Sequence, residues 1–122
     1  MKDIATFFAA LADPTRLRLL RLMRDGEICV CFLQEVLRTN QPRISRHLGY
    51  LRKAGLVTAR KDGKWMHYSL AKQKPGLQQI LVDTFDCLNH DPEIKRDLKR
   101  LNSIRCCPAE YGLPQPSSKL GI

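Results

Sequence analysis

The chain has 122 residues, 43% of them hydrophobic, which suits one compact domain small enough to gain stability by pairing. Its net charge of +9 and pI near 9.7 point to a polyanionic partner, either nucleic acid or an anionic membrane surface. No apolar run approaches the roughly 18 residues of a membrane span, and the N-terminus lacks a signal-peptide pattern, so the expected location is the cytoplasm.

The first helix is expected from Asp3 to Ala12, with Ile4, Phe7, Phe8 and Leu11 forming an apolar stripe at helical spacing. Asp13-Pro14 restarts the chain as a helix, Asp13 capping and Pro14 taking the first helical position. Leu17, Leu20 and Met23 give that helix a buried face, and Asp25-Gly26 ends it. A short helix follows over about Val30 to Leu37, carrying Cys31, Leu33, Val36 and Leu37. Thr39 or Asn40 caps the next helix, which tolerates Pro42 in its first turn and turns Ile44, Leu48 and Leu51 inward. Gly55 ends it as a left-handed cap.

Leu56 to Arg60 and Trp65 to Leu70 read as two strands around a turn at Asp62-Gly63. The fold class is therefore mainly α with a small β-hairpin, in the order of a winged helix-turn-helix. A helix from Pro75 to about Asn89 lines up Leu77, Ile80, Leu81, Thr84 and Leu88. Asp91-Pro92 then starts a basic helix with Ile94, Leu98 and Leu101, stopped by Cys106-Cys107-Pro108. The chain divides into a winged-helix domain over residues 1–90 and a basic helix over 91–107 that ends in a cysteine pair. Residues 108–122, with Pro114, Pro116, Ser117 and Ser118, read as a flexible tail.

The helix from Asn40 to Gly55 carries Gln41, Arg43, Ser45, Arg46 and His47 in its first half, the half of a recognition helix that reaches bases. Arginine pairs bidentately with guanine and glutamine with adenine in the major groove of double-stranded DNA. Tyr50, Arg52 and Lys53 follow, placed for phosphate, and the hairpin adds Arg60, Lys61 and Lys64. Cations on both helix and wing, backed by apolar inward faces, favour DNA over a merely solvated surface. Membrane-surface binding lacks its usual signature, a long aromatic-rich apolar face opposed to lysines.

Leu11 to Met23 (LADPTRLRLLRLM), Glu27 to Cys31 (EICVC), Asn40 to Val57 (NQPRISRHLGYLRKAGLV) and Asp62 to Leu70 (DGKWMHYSL) closely resemble the ArsR/SmtB family of metalloregulatory repressors. The resemblance covers roughly residues 3 to 90, and EICVC is similar to the arsenic-responsive branch. It implies a homodimeric repressor that binds a palindromic operator and lets go when its inducer binds. It further implies dimerisation through the first helix and the helix after the wing. That branch carries Cys-x-Cys-x-x-Cys; here Cys29 and Cys31 match, but the third position is Gln34.

Five cysteines, an odd number spaced unlike a secreted disulfide framework, stay thiols in a reducing compartment. Cys87 reads equally well as core filler. Thiolates select soft ions such as As(III) or Sb(III), and with Gln34 a poor ligand the expected third donor is Cys106 or Cys107. Residues two apart do not share a helix face, so Cys29 and Cys31 chelate together only where the helix start is distorted. Other readings are a soft-metal (Cd, Zn or Pb) sensor and a thiol redox or persulfide switch. The resemblance also implies an alternative zinc or cobalt site of Asp/His pairs on the helix after the wing. Asp83, Asp86, His90 and Asp91 are available there, but with Phe85 where that pattern expects a second ligand and only one histidine nearby they read as surface residues. His47 and His67 are placed in reader and wing rather than in a metal site. No Cys-x-x-Cys pair, anion-cradling loop or nucleophile–base constellation is present; no catalytic residue or catalytic cofactor is expected, and the chain does not read as an enzyme.

Overall fold

The computed structural model describes residues 1–113. Helix α1 (Lys2–Leu11) leads through Asp13 into α2 (Pro14–Leu22). The Asp13 carboxylate accepts from the Arg16 amide at 3.0 Å, with Pro14 opening the helix as expected. Arg16 reaches back to donate to the carbonyl of Ala10 (2.9 Å), an acceptor near the end of α1, and to that of Ala9 (3.2 Å), which the Ala12 amide also uses. The apolar stripe of α1 divides between two faces. Phe7 and Leu11 enter the core, whereas Ile4 and Phe8 stay 45% and 47% exposed.

A short strand without a sequence signal, β1 (Ile28–Cys29), precedes α3 (Val30–Leu37). After Arg38, whose backbone is left-handed (φ 51°), and the Asn40 cap comes α4 (Gln41–Lys53). Ile44, Leu48 and Leu51 of α4 are fully buried against Leu19, Leu20, Leu33 and Leu56 in one core. Gly55, with φ 81°, makes the turn out of α4 that a side chain would strain.

The wing pairs β2 (Val57–Asp62) with β3 (Trp65–Leu70) around Gly63 and Lys64. Gly63 has a positive φ and Lys64 does not, the pattern of a type II′ turn. β1 adds to the free edge of β3, giving the antiparallel order β1-β3-β2, with Ile28 opposite Tyr68 and Cys29 opposite His67.

Helix α5 (Pro75–Leu88) buries Leu81 and Phe85. Helix α6 (Pro92–Cys106), capped by Asp91, lies across α2 and α3 and buries Ile94, Leu101 and Ile104. Two ion pairs fix it there. Arg18 donates from Nε and Nη2 to both oxygens of Asp97 at 2.8 and 2.9 Å, and Arg100 donates to the carbonyl and carboxylate of Glu35 at 3.0 Å each. The segment expected as a tail begins instead with a 3-10 turn (Pro108–Tyr111). Pro108 is buried, and Tyr111 and Leu113 pack against the core, with the Arg100 guanidinium 5.9 Å from the Tyr111 ring centre. Pro114, Pro116, Ser117 and Ser118 lie outside the described residues. Among the described residues no helix is long and apolar enough to cross a membrane.

Candidate nucleic-acid interface and thiol site

The outward face of α4 opens with Gln41, Arg43, Ser45 and Arg46, all exposed on a helix start whose geometry Asn40 fixes by accepting from the Arg43 amide at 3.0 Å. Pro42 falls in the first turn, where its missing N–H costs no helical bond. The four exposed side chains share the first half of one helix. On the wing, Lys61 and Lys64 are exposed beside the turn, and the Lys64 ammonium lies 5.4 Å from the Trp65 ring centre.

Of the other expected DNA contacts, His47, Tyr50 and Arg60 are engaged within the fold and Lys53 is not. His47 is half-buried with Nδ1 3.9 Å from Asp13. Tyr50 is exposed but carries the Arg16 guanidinium at 4.1 Å from its ring centre. Lys53 is exposed at the far end of α4, where it lines a groove of about 830 Å³ with Lys2, Ile4, Lys72 and Ile80. Arg60 is held across the sheet by Glu27, at 2.8 to 3.2 Å in three contacts. This fork pulls the Glu27 carboxyl below its usual range. Glu27 and Arg16 had no sequence signal, because their partners lie 33 and 34 residues away and only the folded register joins them.

The thiol pair sits where the wing meets the reader. Cys29 is both the last residue of β1 and the N-cap of α3, with extended backbone (φ −65°, ψ 140°), while Cys31 lies in the first turn of that helix. The helix is therefore not distorted to bring the two sulfurs together; Cys29 stands outside it. Both are buried. The Cys31 thiol bonded to the Cys29 sulfur lowers Cys29 to about 7, aided by the backbone amides of Cys31 and Phe32 and opposed by burial. The same partnership, with burial, pushes Cys31 up. The pair is thus polarised, Cys29 the more acidic of the two thiols and Cys31 the less.

The signs for stability follow. Cys29, lowered from the roughly 8.5 of a free thiol, contributes stability above that value and loses it as pH falls through about 7. Cys31, raised, contributes below the free-thiol value and loses it at higher pH. In a Cys87→Ser/Cys106→Ser/Cys107→Ser background, the rate of alkylation by a small soft electrophile is expected to rise through about pH 7. A rise only near the free-thiol value of about 8.5 would show that the pair is not polarised.

Cys106 ends α6 and Cys107 caps it, with sulfurs 3.5 Å apart and Cys106 exposed. The neighbouring Cys106 thiol raises Cys107. Within the single chain the four expected ligands form two separate pairs; among the described residues no three His, Cys, Asp or Glu side chains gather to hold a metal ion. Cys87 is exposed rather than core filler. The acidic residues around α5 have other work: Asp83 accepts from Gln79 at 2.9 Å, Asp86 pairs with Arg24 at 3.6 Å, and Asp91 caps α6.

Residues 13–59, from the Asp13 cap through α4 into the wing, match the family described as bacterial regulatory protein, arsR family. The arsenical resistance operon repressor of Escherichia coli K12 is 47% identical over 77 residues, covering 62% of this chain and 66%, just under two thirds, of that protein. An uncharacterised HTH-type transcriptional regulator of Methanocaldococcus jannaschii is 45% identical over 71 residues, 57% of this chain and 80% of its own. Among solved structures, the homodimeric winged helix-turn-helix DNA-binding domain of a possible ArsR-family regulator from Mycobacterium bovis aligns with a TM-score of 0.62 at 25% identity, covering 75% of this chain and 82% of that one. Helix order, capped reader helix, wing and the relatives that span them agree: the chain belongs to the arsR family of bacterial regulatory proteins.

Proposed function

We propose that this chain is a cytoplasmic transcriptional repressor that grips a palindromic operator as a homodimer and releases it when trivalent arsenic or antimony binds its thiolates. The observation that carries this reading is the buried Cys29–Cys31 pair at the junction of β1 and α3. A soft ion taken there must act on both the wing sheet and the helix behind the reader. The E. coli relative's name points the same way. The exposed Ile4 and Phe8 on α1, with Ile4 lining a groove beside Ile80 of α5, supply the apolar face that a second copy would cover. Gln41, Arg43, Ser45, Arg46, His47, Tyr50 and Lys53 with Arg60, Lys61 and Lys64 of the wing would meet the DNA.

A third sulfur for the ion comes, in this reading, from Cys106 or Cys107 of the same chain or of the second copy. The lowered Cys29 also favours a second reading, a switch driven by peroxide or polysulfide at the same thiols. The test is a titration of the DNA upstream of the gene at fixed salt with arsenite, antimonite, cadmium, zinc and polysulfide in turn. Arsenite and antimonite are expected to weaken binding several-fold to about a hundredfold, a coupling of roughly 1–3 kcal/mol. Unchanged affinity with either metalloid, but release by polysulfide, would replace the first reading by the second.

A further inference from the structure

Two routes lead from Cys29 toward DNA. One runs along α3 into α4. The other crosses the sheet, where Cys29, His67 and Arg60 stand opposite one another on neighbouring strands and so share one face. His67, in the middle of that row, is only 6% exposed, its Nδ1 has no hydrogen-bond partner among the described residues, and its Nε2 lies 4.0 Å from Asp62. Over this row Glu27 and Arg60 close a fork: Arg60 Nη2 donates to Oε1 at 2.8 Å and Nε to Oε2 at 3.0 Å. The fork joins the residue that leads into β1 to the other outer strand, β2, across β3. Glu27 is two residues from Cys29, and Arg60 is next to Lys61 in the strand leading to the wing tip.

We propose that the Glu27–Arg60 fork is the link through which an ion at Cys29 and Cys31 moves the wing, a reading that rests on the thiol-sensing function above. β1 is two residues long, and its end is the N-cap of α3. Drawing two sulfurs onto one ion displaces that end, and Glu27 with it. A bidentate charge-assisted pair has a fixed fork geometry, so Arg60 follows and carries β2 along. Glu27 is thus a positioning residue: it touches neither ion nor DNA.

Trp65 is the only tryptophan in the chain and begins β3 at the wing turn, so its emission reports the wing directly. Three quantities are measured on the full chain, wild type and Glu27→Gln: arsenite uptake by thiolate absorbance without DNA, Trp65 emission during that uptake, and operator affinity with and without arsenite. Arsenite is expected to change Trp65 emission in wild type. Glu27→Gln takes up arsenite with the same affinity, but its Trp65 emission stays nearly flat and its release from operator falls by about tenfold. Should Glu27→Gln fold poorly, Arg60→Lys, which keeps the cation but not the fork, is expected to lose part of the Trp65 response. Release and emission changes as large in Glu27→Gln as in wild type would overturn the link. Wild type released by arsenite with silent Trp65 would also overturn it, while leaving thiol sensing intact. Wild type that takes up no arsenite would overturn both.

Discussion

Replacing Cys29 or Cys31 by serine is expected to erase release by arsenite while leaving operator affinity without arsenite at its wild-type level. Both side chains are buried behind the reader, so neither hydroxyl touches DNA. A hydroxyl is a hard, weakly acidic donor, and a soft ion left with one sulfur loses chelation at the junction of β1 and α3. The whole coupling, up to about a hundredfold in operator affinity, should vanish. Cys106→Ser/Cys107→Ser together separate the roles of the two pairs. If the distal pair completes the site, this variant binds arsenite more weakly and needs more of it for release. Anisotropy titrations of labelled operator at fixed salt make the comparison. A Cys29→Ser protein still released at the wild-type arsenite concentration would sink the assignment.

Arg18→Ala is expected to cost about 3 kcal/mol of stability, the low end of the range for breaking a buried ion pair. Asp97 is 4% exposed and accepts both of its close ion-pair bonds from Arg18, so truncation leaves a buried carboxylate without its partner. The low end applies because the Arg18 side chain keeps 21% of its surface in water. Urea denaturation followed by circular dichroism measures the loss. Arg18→Met/Asp97→Asn, which removes both charges, should restore much of it, as charge-free replacements of buried pairs often do. A loss below about 1 kcal/mol for Arg18→Ala would place the pair among surface bridges.

Local signals carried most of the fold. Asp13-Pro14, Asn40 and Asp91-Pro92 mark helix starts because a side-chain acceptor and a fixed φ act within three residues. Gly55 and the turn at Gly63 mark ends and reversals for the same reason. β1 was hidden because two residues make no period, and the strand exists only through β3, some forty positions downstream. That omission mattered for the site. Without β1, Cys29 and Cys31 appear to need a distorted helix; with it, Cys29 is an extended cap and the pair forms on an intact one. The stripe on α1 was legible as apolar, but periodicity cannot say that Phe7 and Leu11 go inward while Ile4 and Phe8 stay outside. The cations of the reader and the wing were legible by type. Which of them the fold already engages, Arg60 above all, depends on partners distant in sequence.

The way α6 is fastened also bears on the order in which the chain folds. Its two ion pairs span 79 and 65 residues, Asp97 to Arg18 and Arg100 to Glu35. Closing loops of that length costs chain entropy before any contact repays it. During synthesis α2 and α3 leave the ribosome long before α6, so the helix-turn-helix core is expected to assemble first and α6 to dock onto a surface already formed. The exposed arginine of one early helix and the glutamate of the next then wait, charged and solvated, for opposite charges that arrive last.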